Sequence, residues 1–186
     1  MQRFRDKVVL VTGAGGGIGQ ASASRIAAEG GAVYCVDLNP AAVEAAVAAI
    51  RAEGGRASGR VCDISREDAV RDCVAACVAE YGSLYALVNM AGLLRFDDTQ
   101  QLTLAQWQQV IDVNLTGTML LCREVIPHLL LSKGSIVNAA STAALSGLPC
   151  GVAYSASKGG VLAMTRSIAI EYAKRGVTAN CVAPGR

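Results

Sequence analysis

Tyr154 and Lys158, four residues apart in Tyr154-Ser155-Ala156-Ser157-Lys158, are the pair in this chain best suited to chemistry. On a helix that spacing puts both side chains on one face, roughly 5–6 Å apart at Cβ. A free phenol ionises near pH ~10, too high to serve as a base at neutral pH. A neighbouring ammonium favours the phenolate and lowers that value. The pair can therefore move a proton. With Ser141 upstream and a glycine-rich loop near the N-terminus, it suits carbonyl/alcohol redox chemistry, in which one acid/base works beside a hydride carrier and no metal is needed.

The carrier is implied by Thr12-Gly13-Ala14-Gly15-Gly16-Gly17-Ile18-Gly19. Glycines let the backbone turn sharply and approach a pyrophosphate, whose charge then sits at a helix N-terminus. A glycine loop alone could be only a tight turn. Here it follows an apolar strand, Val8–Thr12, and opens a helix through about Glu29, the context that marks nucleotide binding. Asp37 closes the next strand, Ala32–Asp37, twenty-four residues after Gly13. A carboxylate there can accept from both ribose hydroxyls and repels a 2′-phosphate. No Lys or Arg stands inside the loop, so NAD(H) is expected over NADP(H). The plainer reading of Asp37 is an acidic turn residue before Asn39. Asp63, at the next strand end with Ile64 beside it, is expected to accept from the adenine amino group or else to cap the following turn.

Positioning these residues requires alternating strands and helices. Asn39 caps a helix with Pro40 at its first position, ending near Gly54-Gly55. A third strand ends at Val61-Cys62-Asp63. Ser65, with Asp68 three residues later, is expected to start a helix reaching about Tyr81. Leu84–Asn89 reads as the fourth strand. Thr103 and Gln106 form a capping box that opens a long helix to about Leu131, interrupted near Asn114. Ser135–Ala140 is a fifth strand. A loop through Gly147, Pro149 and Gly151 leads to the helix of Tyr154 and Lys158, which ends near Gly176, and Val177–Ala183 is a sixth strand. Strands apolar on both faces between helices imply an α/β fold, a doubly wound Rossmann-type parallel sheet ordered 3-2-1-4-5-6 with helices on both faces. Ligands bind at the carboxyl ends of such strands, where the glycine loop, Asp37, Asp63, Asn89 and Ser141 all fall. No repeat or linker divides the chain, so residues 1–186 are read as one dinucleotide-binding domain.

Composition narrows the class further. A 52% hydrophobic share with 17% charge excludes disorder, and a net charge of +2 without a basic run suggests neither nucleic acid nor an anionic membrane. No apolar stretch reaches the roughly 18–20 residues of a membrane span, and the N-terminal apolar run lacks a signal-peptide cleavage site. Seven cysteines, an odd number mostly within apolar segments, read as reduced core thiols of a cytoplasmic protein. Cys73 and Cys77 share a helix spacing, but with no second Cys/His cluster no metal is expected. His128 and Trp107 read as a surface and a packing residue.

From Lys7 to its last residue, the chain resembles the classical subfamily of short-chain dehydrogenases/reductases. The likeness is carried by Thr12-Gly13-x-x-x-Gly17-Ile18-Gly19, Asp63, Asn89-Met90-Ala91-Gly92, Asn114, Ser141, Tyr154-x-x-x-Lys158 and Pro184-Gly185. It implies Tyr154 as general acid/base on the substrate oxygen. Lys158 would lower the tyrosine pKa and hydrogen-bond the nicotinamide ribose, and Ser141 would polarise the carbonyl. Asn114 would hold a water relaying protons from Lys158. Ile18, Asn89, Ala91 and Gly92 would line the cofactor channel, with Pro184 and Gly185 against the nicotinamide. The substrate would be a small secondary alcohol or ketone, of the 3-oxoacyl, hydroxyacyl, sugar-alcohol or steroid kind. Helices 104–131 and 154–173, with small or apolar outer positions Ala163, Ser167 and Ile170, would pair subunits into a homodimer or homotetramer.

Two features depart from the family pattern. Met90 stands where a second Asn is common. The sequence also stops at Pro184-Gly185-Arg186, short of a substrate-covering helix and a last strand, so a fragment with an exposed sixth strand, weak NAD binding and poor turnover is expected. Leu145, Leu148 and Cys150 give the loop 143–151 an apolar lining that fits a moderately hydrophobic substrate. Two competing readings are a non-catalytic dinucleotide-binding scaffold and a methyltransferase, which shares the glycine loop and acidic strand end but needs neither Tyr154 nor Lys158.

Overall fold

Short runs of β-branched and aliphatic residues become strands because both of their faces are covered. In the computed structural model, which describes residues 2–185, these are β1 (Val8–Thr12), β2 (Ala32–Asp37), β3 (Arg56–Val61), β4 (Ala86–Asn89), β5 (Ser135–Ala139) and β6 (Thr178–Val182). They form one parallel sheet in the order β3-β2-β1-β4-β5-β6. Every residue of β1 is buried, and the strand serves two cores by simple alternation. Val8 and Leu10 face one layer while Val9 and Val11 face the other.

The helices are α1 (Gly17–Ala28), α2 (Pro40–Ala52), α3 (Glu67–Tyr81), α4 (Leu104–Ile111), α5 (Gly117–Ser132), α6 (Ala143–Ser146) and α7 (Val152–Tyr172). Ala23 and Ile26 of α1 and Ala46 and Ile50 of α2 cover one face of the sheet. Residues from α3, α5 and α7 cover the other, through Val70, Val74, Leu121, Val125 and Ile168. Asn39 caps α2 as expected, its side chain accepting from the N–H groups of Ala41 (3.0 Å) and Ala42 (3.4 Å). The Thr103–Gln106 capping box opens α4. Between α4 and α5 the helix is not broken but wound wide, as a π turn over Asp112–Thr116, the interruption expected at Asn114.

Three expectations need correction. The helix over residues 67–81 starts two residues late, because Ser65 gives both its N–H (3.0 Å) and its hydroxyl (2.7 Å) to Asp63 Oδ1. Asp68 pairs instead with Arg66. The loop 143–151 contains the single-turn helix α6. The seven unpaired cysteines are not all core thiols: Cys150 is exposed at φ +55° and Cys181 is half-buried. The other five lie in the interior, with Cys73 and Cys77 on the buried face of α3.

Candidate active site

The carboxyl ends of the strands open into a cavity of about 1230 Å³. The residues expected to bind cofactor or act in catalysis line it except Asn89 and Asn114, and of the apolar residues expected to line it from loop 143–151 only Leu148 does, not Leu145 or Cys150. Arg186 lies outside the described residues.

At one end the chain leaves β1 through a loop in which side chains are sterically excluded. Gly13 has φ +64°, and a Cβ there would sit 2.9 Å from the backbone nitrogen of Ala91. A Cβ on Gly19 would lie 2.1 Å from the carbonyl oxygen of Gly13. The loop is thus folded onto itself and onto the end of β4, leaving the first turn of α1 open. Gly16 at its N-cap supplies no side-chain cap. The N–H groups of that turn are therefore free to receive an anion, where the helix dipole favours one. Asp37 ties this end together: Oδ2 accepts from the N–H of Gly15 (3.0 Å) and Oδ1 from that of Asn39 (3.1 Å). Each oxygen keeps lone-pair capacity toward the cavity. Asp63 lines the same end while its Oδ1 holds the Ser65 turn. The glycine cradle, the unfilled helix N-terminus and the paired acceptors of Asp37 fit a dinucleotide.

The other end carries the proton-transfer groups. Lys158 lies one turn beyond Tyr154 on α7, as their spacing requires, with Nζ 5.8 Å from the Tyr154 ring centre. Lys158 is only 4% exposed and donates to the Ala139 carbonyl at the end of β5 (2.7 Å). Burial pushes its pKa down to about 8, because an ammonium is poorly solvated there. Ser141 is buried just past β5 and its oxygen accepts from the Ala143 N–H (3.1 Å). Its own proton is left to donate to a ligand.

Asn89 and Asn114 stand behind the wall. Thr12 donates to Asn89 Oδ1 (2.6 Å) and accepts from the N–H groups of Met90 and Ala91 (3.2 Å each). Asn89 is thereby locked under the floor, its Nδ2 buried and unpartnered. In the π turn, Asn114 accepts from the Leu93 N–H (2.7 Å) and donates to the Leu93 carbonyl (2.9 Å) and to Ser157 Oγ (3.0 Å). Its own carbonyl accepts from Thr118 (2.7 Å). Asn114 Oδ1 and Lys158 Nζ each lie 3.3 Å from where a Cβ on Gly92 would stand. Glycine at that position lets the two groups crowd together.

Several participants escaped the sequence reading. Ser157 bridges Asn114 and the Tyr154 carbonyl (2.7 Å), and its place three residues after Tyr154 was a usable helical signal. Thr12 stood at the head of the glycine-loop motif without a role of its own, and Ala139, acting through its backbone, carried no signal.

A parallel sheet switching direction at a glycine loop, with a tyrosine–lysine pair across the same crevice, defines a dinucleotide-dependent oxidoreductase. Comparison with known sequences resolves that class. Residues 7–186 match the short chain dehydrogenase family. The chain is 41% identical over 185 residues to the 3beta-hydroxysteroid dehydrogenase of Mediterraneibacter gnavus, spanning 99% of this chain and 67% of that protein. It is 40% identical over 183 residues to the D-threitol dehydrogenase of Mycolicibacterium smegmatis, spanning 98% of this chain and 70% of that one. Among solved structures, an NAD+-bound xylitol dehydrogenase superposes with a TM-score of 0.95 at 37% identity, over 98% of this chain and 71% of that one. The protein belongs to the short-chain dehydrogenase family, oxidoreductases that interconvert alcohols and carbonyl compounds, and its cofactor is a nicotinamide dinucleotide.

Proposed function

We propose that this chain exchanges a hydride between NAD(H) and a secondary alcohol or ketone, with Tyr154 as the acid/base. The observation that carries this reading is the buried Lys158 ammonium beside the Tyr154 ring, in a cavity that continues to the glycine loop. The dinucleotide, when bound, supplies the hydride acceptor or donor. In oxidation, Tyr154 Oη takes the hydroxyl proton as the carbinol carbon gives up its hydride and the C=O bond forms. In reduction Tyr154 returns that proton. Lys158, charged at neutral pH, supports the negative charge that Tyr154 takes on and would donate to the nicotinamide ribose. Ser141 donates to the substrate oxygen. Asn114, committed to Leu93 and Ser157, positions the wall and α7.

Along the cofactor, Gly13 and Gly17 through Gly19 cradle the pyrophosphate, and Asp37 accepts from the adenosine ribose. Asp63 and Ile64 border the adenine, and Ala91, Gly92, Pro184 and Gly185 border the nicotinamide half. Asp37, lacking a cationic neighbour in the loop, favours NAD(H) over NADP(H). Exposed Ala163, Ser167 and Ile170 on α7 support subunit pairing through α4, α5 and α7. Seven unpaired thiols suit a cytoplasmic setting. No helix among the described residues is long and apolar enough to cross a membrane.

The test is Tyr154→Phe. Removing the proposed proton exchanger lowers kcat/KM on the order of 10²–10⁴-fold, while NADH binding by fluorescence titration stays near wild type. An undiminished rate overturns the assignment.

A further inference from the structure

We propose that the substrate is a secondary alcohol or ketone whose body beyond the reacting carbon is apolar, and that Leu94 and Phe96 select it against polyols. This inference rests on the reading above and extends it to the substrate class. The cavity has two unlike ends. Its carboxylates, Asp37 and Asp63, stand at the glycine-loop end. The rest of the lining includes Leu94, Phe96, Val113, Leu148 and Pro149, with Gln109, Thr142 and Ser146 among them. Leu94 is 47% and Phe96 61% exposed, apolar surface held against water at the rim of a concave site.

Several polar groups on this wall are already engaged, while the Gln109 amide nitrogen and the Thr142 hydroxyl, also on the lining, keep their hydrogen-bonding capacity. The Leu93 N–H and carbonyl are both held by Asn114 (2.7 and 2.9 Å). The Asp97 N–H donates to the Cys150 carbonyl (2.7 Å), which fastens the 93–98 segment to the loop before α7. Arg95, between the two apolar side chains, turns to Asp97 (3.1 and 3.2 Å) and to Gln109 Oε1 (3.4 Å). The Ser146 hydroxyl donates back to the Thr142 carbonyl (3.1 Å). Beside Leu94 and Phe96 themselves no free polar side chain stands on segment 93–97, and hydrogen-bonding capacity toward a substrate lies at Ser141 and Tyr154, with Thr142 and Gln109 at the edges of the lining. A hydroxyl set against Leu94 and Phe96 would shed its water and find no partner in those two side chains, which is unfavourable. An aliphatic ring in the same place removes apolar surface from water on both partners.

Cyclohexanol and myo-inositol share one ring and differ in added hydroxyls, so they isolate this effect. With the full chain and NAD, kcat/KM for cyclohexanol is expected to exceed that for myo-inositol at least tenfold, the low end of hydrophobic-pocket discrimination. A calorimetric titration with NAD present, where a ketone has no hydride donor, gives a readout that needs no turnover: cyclohexanone binds at least tenfold tighter than the inosose of the same ring. Phe96→Ser and Leu94→Ser each shrink that ratio several-fold without changing NADH affinity. Equal or better use of the polyol overturns the inference and leaves the oxidoreductase reading standing. Preferential cyclohexanone binding without turnover supports the inference and counts against the hydride-transfer reading. Binding of neither ligand, or ratios unmoved in both variants, overturns the inference.

Discussion

The two halves of the sheet build their parts of the cavity from different materials. At the ends of β1, β2 and β3 the cavity is lined mainly by backbone, tightened until side chains are excluded, with Asp37 and Asp63 the charged side chains among the described residues that line it there. At the ends of β4 and β5 the lining is carried by side chains, and these are held by backbone groups and by one another. Lys158 leans on Ala139, while Asn114 grips Leu93 and Ser157. A backbone site fails sterically, all at once. A side-chain site fails by degrees, one hydrogen bond or charge at a time.

Gly19→Ala should give the largest effect and mark the steric extreme. Its new methyl would stand 2.1 Å from the Gly13 carbonyl oxygen, backbone against backbone, so the loop must open. NADH affinity is expected to fall beyond measurement in a fluorescence titration, with stability reduced by roughly 1–3 kcal/mol as for other overpacked sites. Gly16→Ala is the internal control, because its Cβ meets nothing within 4 Å and its φ of −169° suits any residue. Its melting temperature should stay close to wild type. Equal damage from both substitutions would show that loop flexibility, not the close approach, matters.

Lys158→Met probes the side-chain half and should lower the rate on the order of a hundredfold or more. Its effect on stability has a distinctive pH dependence. The folded pKa of about 8 lies below the ordinary 10.5. Below pH 8 the lysine is protonated folded or unfolded, and the native state bears the full penalty of a buried ammonium. Between pH 8 and 10.5 the unfolded chain binds the proton that the folded chain has released, so wild-type stability rises with pH relative to the variant. The total gain is about 3 kcal/mol. Denaturant unfolding of both proteins at pH 7 and pH 10 measures it, and a constant difference across that range would mean that Lys158 is well solvated.

How far each half could be read from sequence follows the same division. β1 and β2 were legible to the residue because runs such as Val8–Thr12 are buried on both faces and stop at glycine or asparagine. The glycine loop was legible because backbone sterics leave a direct imprint on residue type, and Asp37 was legible as the acidic residue before Asn39, whose N–H it accepts. The Tyr154–Lys158 pair was legible because helical spacing sets their face, and Asn114 marked the π turn. The supports were not. Asn89 was read as a cofactor contact, yet it sits beneath the floor with Thr12, a pairing across 77 positions that no local pattern records. Ser65 looked like a helix cap, but Asp63 competed for its donors and won. The single turn α6 is too short to show a period.

Asp37→Ser should have a smaller effect and bears on the backbone half. It removes the charge that faces a 2′-phosphate, so the ratio of NADPH to NADH use should rise on the order of tenfold, a modest figure because the carboxylate is partly exposed and screened. Asp37 also holds the Gly15 and Asn39 amides, so NADH affinity should fall at the same time. A wild-type protein that already prefers NADPH would remove the basis for assigning Asp37 to the ribose.

The smallest effect on catalysis should come from the opposite rim of the sheet, which resembles the side-chain half in construction but faces no cavity. Glu29, at the end of α1, is buried between Arg3 and Arg25, and the Phe4 N–H donates to its carbonyl (3.1 Å). Hydrogen bonds from Arg3 and then Arg25 hold its carboxyl at about 2, below the ordinary 4.5. A carboxylate depressed in this way stabilises the fold above about pH 4.5, and that contribution fades as pH falls toward 2. Glu29→Gln should therefore melt below wild type at pH 7, with the gap narrowing through pH 4 and 3, while kcat/KM at neutral pH is unchanged. A loss of activity comparable to its loss of stability would show that the two rims are mechanically coupled through β1, and that the cavity depends on the N-terminal segment as well as on its own walls.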